Sequence, residues 1–277
     1  MKFLFKLNFT MIAFIFLLMQ CVYATEVKFV QITDSHFSAV GKDYSQREVA
    51  KSEGVLEKTI KDINSVSGVD FVVFTGDNVD TANVSDLKTF LTIANQLSAP
   101  YYVVIGNHEV FKSQNLDKKE YMKTVRKYSK NCRPRSANYV FKAKGLTFIV
   151  VDGAKEIIPG PAGYYKKDSL TWFDKKLTKY QDEKVVVFQH FPIVAPYYNR
   201  THTTYNVKDY ETVLKKHTNV IAIFSGHYHA NGETNKDGIY HVSTPALIEE
   251  PHNYKIVEIS IKNKKDYQIY TQLRHAE

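Results

Sequence analysis

Ten short apolar runs alternate with stretches of helical periodicity along this chain, and five of the runs stop abruptly at Asp, Asn or His. Run 27–33 leads into Asp34-Ser35-His36, and run 71–75 into Gly76-Asp77-Asn78. Run 101–105 leads into Gly106-Asn107-His108-Glu109, run 185–189 into His190, and run 220–225 into Gly226-His227-Tyr228-His229. Each is continuous and rich in β-branched and aromatic residues, the pattern of a strand buried on both faces. Two further strands, 138–142 and 146–151, adjoin at Gly145, and 239–243, 254–261 and 267–273 follow His229. Between them, 47–66 carries Val49, Leu56, Ile60 and Ile63 near helical spacing, and 83–97 carries Val84, Leu87, Leu91 and Ile93. Segments 118–128, 169–180 and 206–217 are further helix candidates. Strands alternating with helices predict an α/β fold: a four-layer αββα sandwich of two mixed β-sheets flanked by helices.

The first 24 residues follow another pattern. Lys2 and Lys6 precede an apolar stretch, 10–19, too short to cross a bilayer comfortably, and Val22-Tyr23-Ala24 supplies a small-residue cleavage site. The expectation is a signal peptide over 1–24, a single domain over 25–277, and a secreted or periplasmic location with no membrane span after cleavage. A retained anchor is the alternative. Lipid attachment at Cys21 is a lesser one, because Gln20 is larger than such motifs require.

Beyond the leader only Cys132 remains, so no intramolecular disulfide can form. No repeat, low-complexity tract or Pro/Gly-rich linker divides the chain. The formal charge of +8 suits anionic substrates. It is spread through pairs such as Lys118-Lys119 and Lys215-Lys216, which read as solvated faces, and no specific nucleic-acid partner is expected. Nothing in the pattern sets the oligomeric state.

Ligands of open α/β sheets bind beyond the carboxyl ends of the strands. That gathers Asp34, His36, Asp77, Asn107, His108, His190, His227 and His229 at one end of one sheet. Carboxylate, amide oxygen and imidazole together suit small hard or borderline cations, and this many donors predict two of them. Asp34 and His36, two residues apart, can turn toward one ion, as can His227 and His229. Gly76 lets the backbone turn so that the Asp77 carboxylate bridges. Two carboxylates against two divalent ions leave the cluster positive and attractive to phosphate. Ions ~3.5–4 Å apart lower the pKa of a bridging water and clamp a phosphoryl oxygen. His108, adjoining Asn107, is the candidate to protonate the leaving group or to stabilise charge on the phosphoryl.

These motifs, in this order over 34–229, resemble the calcineurin-like metallophosphoesterase superfamily. The resemblance implies the same αββα fold and hydrolysis of a small phosphorylated substrate, a phosphodiester or phosphomonoester, nucleotide-like esters among them, by attack of a metal-bridging hydroxide on phosphorus. It implies Asp34, His36, Asp77 and His229 on one ion, Asp77, Asn107, His190 and His227 on the other, and His108 as proton donor. The ions would be two divalent or trivalent metals, Mn, Fe or Zn. In purple acid phosphatases a Tyr stands three residues after the bridging Asp; here that residue is Asp80, so the purple subclass is not implied. Size and Asp77-Asn78 look most like the cyclic-nucleotide-phosphodiesterase-like branch.

Outside the motifs, loop 191–205 carries Tyr197, Tyr198, Arg200, His202 and Tyr205. Its functional reading is a substrate clamp, with Tyr198 stacking a ring and Arg200 pairing with phosphate; its bland reading is a sticky surface loop. Glu109 reads either as an orienter of His108 or as an exposed turn residue, and Asn78 and Asp80 as turn formers. A non-catalytic metal-binding module of the same fold, and a nuclease, are the competing functions. The second would want a broad basic and aromatic groove.

Overall fold

The computed structural model describes residues 25–111, 116–263 and 266–276; the expected leader lies outside the described residues. Strands β1 (Thr25–Ile32), β2 (Phe71–Phe74), β3 (Tyr101–Val103), β10 (Asn253–Ile261) and β11 (Tyr267–His275) form one sheet, in the order β11-β10-β1-β2-β3. Strands β4 (Tyr139–Ala143), β5 (Leu146–Val150), β6 (Val185–Phe188), β7 (Val220–Ser225), β8 (Gly232–Lys236) and β9 (Ile239–Ser243) form the other, in the order β4-β5-β6-β7-β9-β8. Both are mixed. β1, β2 and β3 run parallel, as do β5, β6, β7 and β9, while β10, β11, β4 and β8 pair antiparallel.

Parallel neighbours need a crossover, and helices supply it. α1 (Ser52–Ser65) joins β1 to β2, and α2 (Val84–Ala94) joins β2 to β3. α3 (Lys118–Tyr128) follows β3, α4 (Lys167–Lys179) joins β5 to β6, and α5 (Val207–Leu214) joins β6 to β7. Asn83 and Asp117 cap α2 and α3, their side chains accepting the N–H of Asp86 at 2.7 Å and of Glu120 at 2.8 Å. With helices outside and the two sheets face to face, the chain forms the expected αββα sandwich.

The seam between the sheets is aromatic. Phe29 stacks on Phe71 at 5.0 Å within the first sheet. It meets Phe148, Phe188 and Phe224 of the second edge-on, at 6.1, 5.4 and 5.2 Å. All are buried. Truncating one of them to Ala should cost ~3–5 kcal/mol, because a filled aromatic seam cannot collapse around the hole.

Three expectations are corrected. The helix expected over 47–66 begins at Ser52, after a 3-10 turn at Val49–Lys51, and the one expected over 206–217 spans Val207–Leu214. Strand β8 was not expected; it is exposed along most of its length, so it lacks an apolar face to read. Lastly, the motif residues do not lie on one sheet: β1, β2 and β3 carry three groups, and β6 and β7 carry two.

Candidate metal centre

The five motif segments meet at the same edge of both sheets, where the carboxyl ends of β1, β2, β3, β6 and β7 converge. The backbone there is unusual. Asp34, His36, Asp77, His227 and His229 all adopt left-handed conformations, with φ of 52°, 39°, 49°, 72° and 52°. Such residues are strained by ~1 kcal/mol or more each and persist where their surroundings over-determine them. Here cross-strand main-chain bonds hold them: Asp34 N–H to Gly76 O at 3.0 Å, His36 N–H to Asp77 O at 2.9 Å, and Gly226 N–H to His190 O at 3.0 Å. Two glycines are required by close approach. A Cβ on Gly76 would lie 2.5 Å from His190 Nδ1, and one on Gly106 would lie 2.2 Å from Asp77 Oδ1.

The side chains gather into two overlapping sets. Asp34, His36 and His229 each present a donor atom within 4.8 Å of one another, and so do Asp77, His190 and His227. Asp34 Oδ1 lies 3.3 Å from His229 Nε2, and 4.0 Å from the Nε2 atoms of both His36 and His190. Asp77 Oδ2 lies 3.2 Å from His190 Nε2 and 3.9 Å from His36 Nε2, so it faces both sets. Atoms bound to one ion at ~2.0–2.2 Å stand about 3–4 Å apart, which these spacings match.

The hydrogen-bond inventory tests the fit independently. Asp34 Oδ1, His36 Nε2, His190 Nε2, His227 Nε2 and Asn107 Oδ1 are buried and have no hydrogen-bond partner. Buried polar atoms are ordinarily satisfied, and an orphan costs ~1–3 kcal/mol. Five orphans converging at one edge, all of them metal-donor types, are what a cation site requires. The opposite ring nitrogens of His190 and His229 are occupied, and that of His36 faces a carboxylate. His190 Nδ1–H donates to Thr75 O at 2.8 Å, His229 Nδ1–H donates to Glu249 Oε1 at 2.6 Å, and His36 Nδ1 lies 3.2 Å from Asp80 Oδ1. Such outer contacts fix the tautomer that leaves Nε2 free for a metal.

The electrostatics follow from burial and crowding. Burial would raise the Asp34 carboxyl, but His229 and His190 outweigh it and hold it far below the usual range. Burial likewise opposes the lowering of Asp77, which His190 and His108 win. Burial would lower His190 and His229; the carboxylates overcome it and push both up to about 9. His36, where burial prevails, falls to about 4, and His227 lies well below its ordinary value for the same reason.

Asn107 and His108 occupy the cleft wall. His108 N–H donates to Asp77 Oδ1 at 2.9 Å, and its ring is pinned by Nδ1–H donating to Asp80 O at 2.6 Å. Asp80 is therefore more than a turn former: its carbonyl holds His108, while its carboxylate faces His36 and accepts from Tyr44 Oη at 2.7 Å. Glu109 is neither an orienter of the His108 ring nor exposed. It is fully buried, and its carboxylate accepts the main-chain N–H groups of Gly106, Asp77, Asn78 and Val79. Burial first and the Asp77 charge second push its carboxyl up to about 8, whereas the four amides favour the ionised form. No sequence signal marks a lone Glu at a turn as buried.

A cleft of about 350 Å³ opens over the centre, lined by Arg47, Asn107, His108, Phe111, His202 and the Pro159-Gly160-Pro161 turn. Arg47 escaped the sequence reading because it looks like one more surface charge. Its guanidinium donates to Tyr44 Oη at 2.6 Å, and the two residues exchange main-chain hydrogen bonds. Of the residues expected to clamp substrate, Tyr198 is 88% exposed and Arg200 is exposed, and neither lines the cleft. His202 of the same loop does, its ring 5.1 Å from that of His227. Burial first, then His229, keeps His202 below its ordinary value.

Comparison with known proteins agrees with this geometry. A probable glycerophosphodiester phosphodiesterase of Arcobacter nitrofigilis is 28% identical over 212 residues, 72% of this chain and 71% of that protein. A probable cyclic nucleotide phosphodiesterase of Fibrobacter succinogenes is 22% identical over 78% of this chain and 77% of its own length. The crystal structure of a dimetal phosphatase from Danio rerio shares the fold at a TM-score of 0.66 and 18% identity, covering 91% of this chain and 99% of that one. Residues 27–231 match the family described as calcineurin-like phosphoesterase, and the chain belongs to that family of metal-dependent phosphoester hydrolases.

Proposed function

We propose that this chain hydrolyses small phosphodiesters, with two divalent ions held by Asp34, His36, Asp77 and His229 on one side and Asp77, Asn107, His190 and His227 on the other. The observation that carries this reading is the convergence of five unpartnered buried donor atoms beneath an open cleft. The ions would supply Lewis acidity toward the attacking water and the phosphoryl oxygens. The chain's own residues do the rest. Asp77, facing both donor sets, keeps them in one arrangement. Asn107 offers a neutral oxygen, which leaves the centre positive toward phosphate.

His108 acts as the proton donor. With Nδ1 committed to Asp80 O, its Nε2 is the ring atom left for substrate, on the wall of the cleft. Arg47 sits on the same wall, and a guanidinium there favours an ester whose leaving portion carries a second anionic group. Two relatives named as phosphodiesterases support the diester over the monoester. A cleft of this volume admits a nucleotide-sized ester. A non-catalytic module has no use for an intact donor set with a poised His108. The same reading takes 1–24 as a cleaved leader and the site as working outside the cytoplasm.

Metal-stripped protein, reconstituted with Mn²⁺, should hydrolyse bis(p-nitrophenyl) phosphate faster than p-nitrophenyl phosphate. The Asp77→Asn variant should be inactive on both. Faster turnover of the monoester would overturn the diester assignment, and inactivity on both with metals bound would favour the binding module.

A further inference from the structure

Ten large hydrophobic side chains are exposed among the described residues, two of them, Tyr270 and Leu273, on the edge strand β11. The other eight stand on loops 37–47, 153–165 and 195–205. These loops frame the mouth: the first contributes Arg47 to the cleft wall, the second Pro159-Gly160-Pro161, and the third His202. Their tips are aliphatic or aromatic, with Val40 89%, Ile157 69%, Ile158 77% and Tyr198 88% exposed. Eight exposed apolar side chains confined to three loops that each contribute to one cleft mark a surface suited to meeting a partner.

The rim is built, not loose. Gly163 pairs with Thr204 across the second and third loops, and Lys155 Nζ lies 5.2 Å over the Tyr205 ring. Tyr197 Oη donates to Tyr228 O at 3.1 Å, tying the third loop to the motif that carries His227 and His229. Its charge is net positive: Lys42, Arg47, Lys155 and Arg200 stand against two acids, the exposed Asp43, which accepts from Ala50 N–H at 2.8 Å, and the half-buried Glu156, which accepts from Lys118 N–H at 2.9 Å. Lys42 and Arg200 remain exposed.

Isolated aliphatic tips around an opening do not make the continuous groove that a peptide or helix would fill. Apolar tips, amphipathic tyrosines and an excess of cations over acids match the layered chemistry of a bilayer interface: acyl chains, headgroup boundary and anionic surface. We propose that the three-loop rim seats the mouth of the cleft on an anionic bilayer, so that the phosphoester headgroup of a membrane lipid enters toward the metal centre. The second half of this statement rests on the proposed phosphodiesterase reading; the docking itself does not.

Co-sedimentation with extruded vesicles tests it, run in EDTA so that binding is read without turnover. The full chain should pellet with phosphatidylcholine vesicles containing about a third phosphatidylglycerol, and at least about tenfold more weakly with phosphatidylcholine alone. Ile157→Glu/Ile158→Glu, in the same full chain so that any contribution of residues 1–24 is common to both, should lower binding to the anionic vesicles by about tenfold or more. Ile157→Ser/Ile158→Ser should also lower it, which separates insertion from charge repulsion. Both positions are exposed, so these variants should fold and should cleave a small soluble diester at the wild-type rate. No binding by the wild type, or equal binding by wild type and both variants, overturns the proposal. Failure of the wild type on the soluble diester would instead overturn the phosphodiesterase reading and leave the vesicle result standing.

Discussion

Glu109 accepts the main-chain N–H of Asp77 at 2.9 Å, so a carboxylate that touches no substrate sets the backbone of the residue facing both donor sets. The same carboxylate takes the amides of Asn78, Val79 and Gly106, and through them it ties the end of β2 to the end of β3. A Gln there would aim an NH₂ at amide donors and leave buried N–H groups without acceptors, at ~1–3 kcal/mol each. Glu109→Gln should therefore lose several kcal/mol of stability and bind metal more weakly, although it removes no metal ligand. Urea unfolding and elemental analysis would check this. Wild-type stability with full metal content would make the four amide contacts energetically idle.

His108→Ala should keep its metals and slow turnover ~10²–10⁴-fold, the usual worth of a general acid. The ring is anchored through Nδ1 to Asp80 O and packs edge-on against His36 at 4.5 Å, and its loss removes none of the residues assigned to the metals. The damage should be severe for alkyl phosphodiesters, whose alkoxide must be protonated, and mild for nitrophenyl esters, whose anion leaves unaided. Equal slowing of both would assign His108 to charge stabilisation.

The strand ends were legible because parallel strands buried on both faces read as continuous apolar runs, and polar clusters at their ends stand out against them. Which sheet each run joined was not legible, because a run records its own burial and not its partner. Strand β8 was missed for lack of an apolar face, yet its turn was visible in retrospect. Asp237 and Gly238 separate it from β9 with φ of 54° and 79°, the two-residue geometry that Asp-Gly favours. The donor types were legible from chemistry alone. Asp80, Glu109 and Arg47 were not, since each acts through a neighbour brought close only by the fold, and a lone charged residue at a turn carries no mark of what it will touch.

Arg47 and Arg200 should separate cleanly in kinetics. Arg47 is pre-set in the cleft by Tyr44, and a hydrogen bond from a charged group is worth ~1.5–3 kcal/mol. Arg47→Ala should raise KM ~10–100-fold for a diester bearing a second anionic group and change kcat little, the mark of lost uniform binding. Arg200→Ala should leave a small soluble diester nearly unaffected. A fall in kcat without a change in KM for Arg47→Ala would place the guanidinium on the scissile phosphoryl.

Metal-free protein should show opposite pH trends on the two sides of the ordinary imidazole range. His190 and His229 are pushed up to about 9 by the buried carboxylates. Between about 6.5 and 9 the folded state then holds protons that the unfolded chain has released, so apo stability should fall as pH rises through that window. His36 and His241, both lowered by burial to about 4, work the other way and together outweigh Glu109, whose carboxyl is raised to about 8. Between about 4 and 6.5 the unfolded chain binds the extra proton, so stability should rise with pH there. The apo protein should thus be most stable near pH 6.5. Metal binding must displace protons from His190 and His229, so affinity should climb steeply from pH 6.5 to 9, just where the apo fold weakens. Thermal melts in EDTA against pH, paired with Mn²⁺ titrations at the same pH values, read both trends. Apo stability that rises through pH 9 would mean that His190 and His229 are neutral in the metal-free fold, and that the Asp34 and Asp77 charges are balanced some other way.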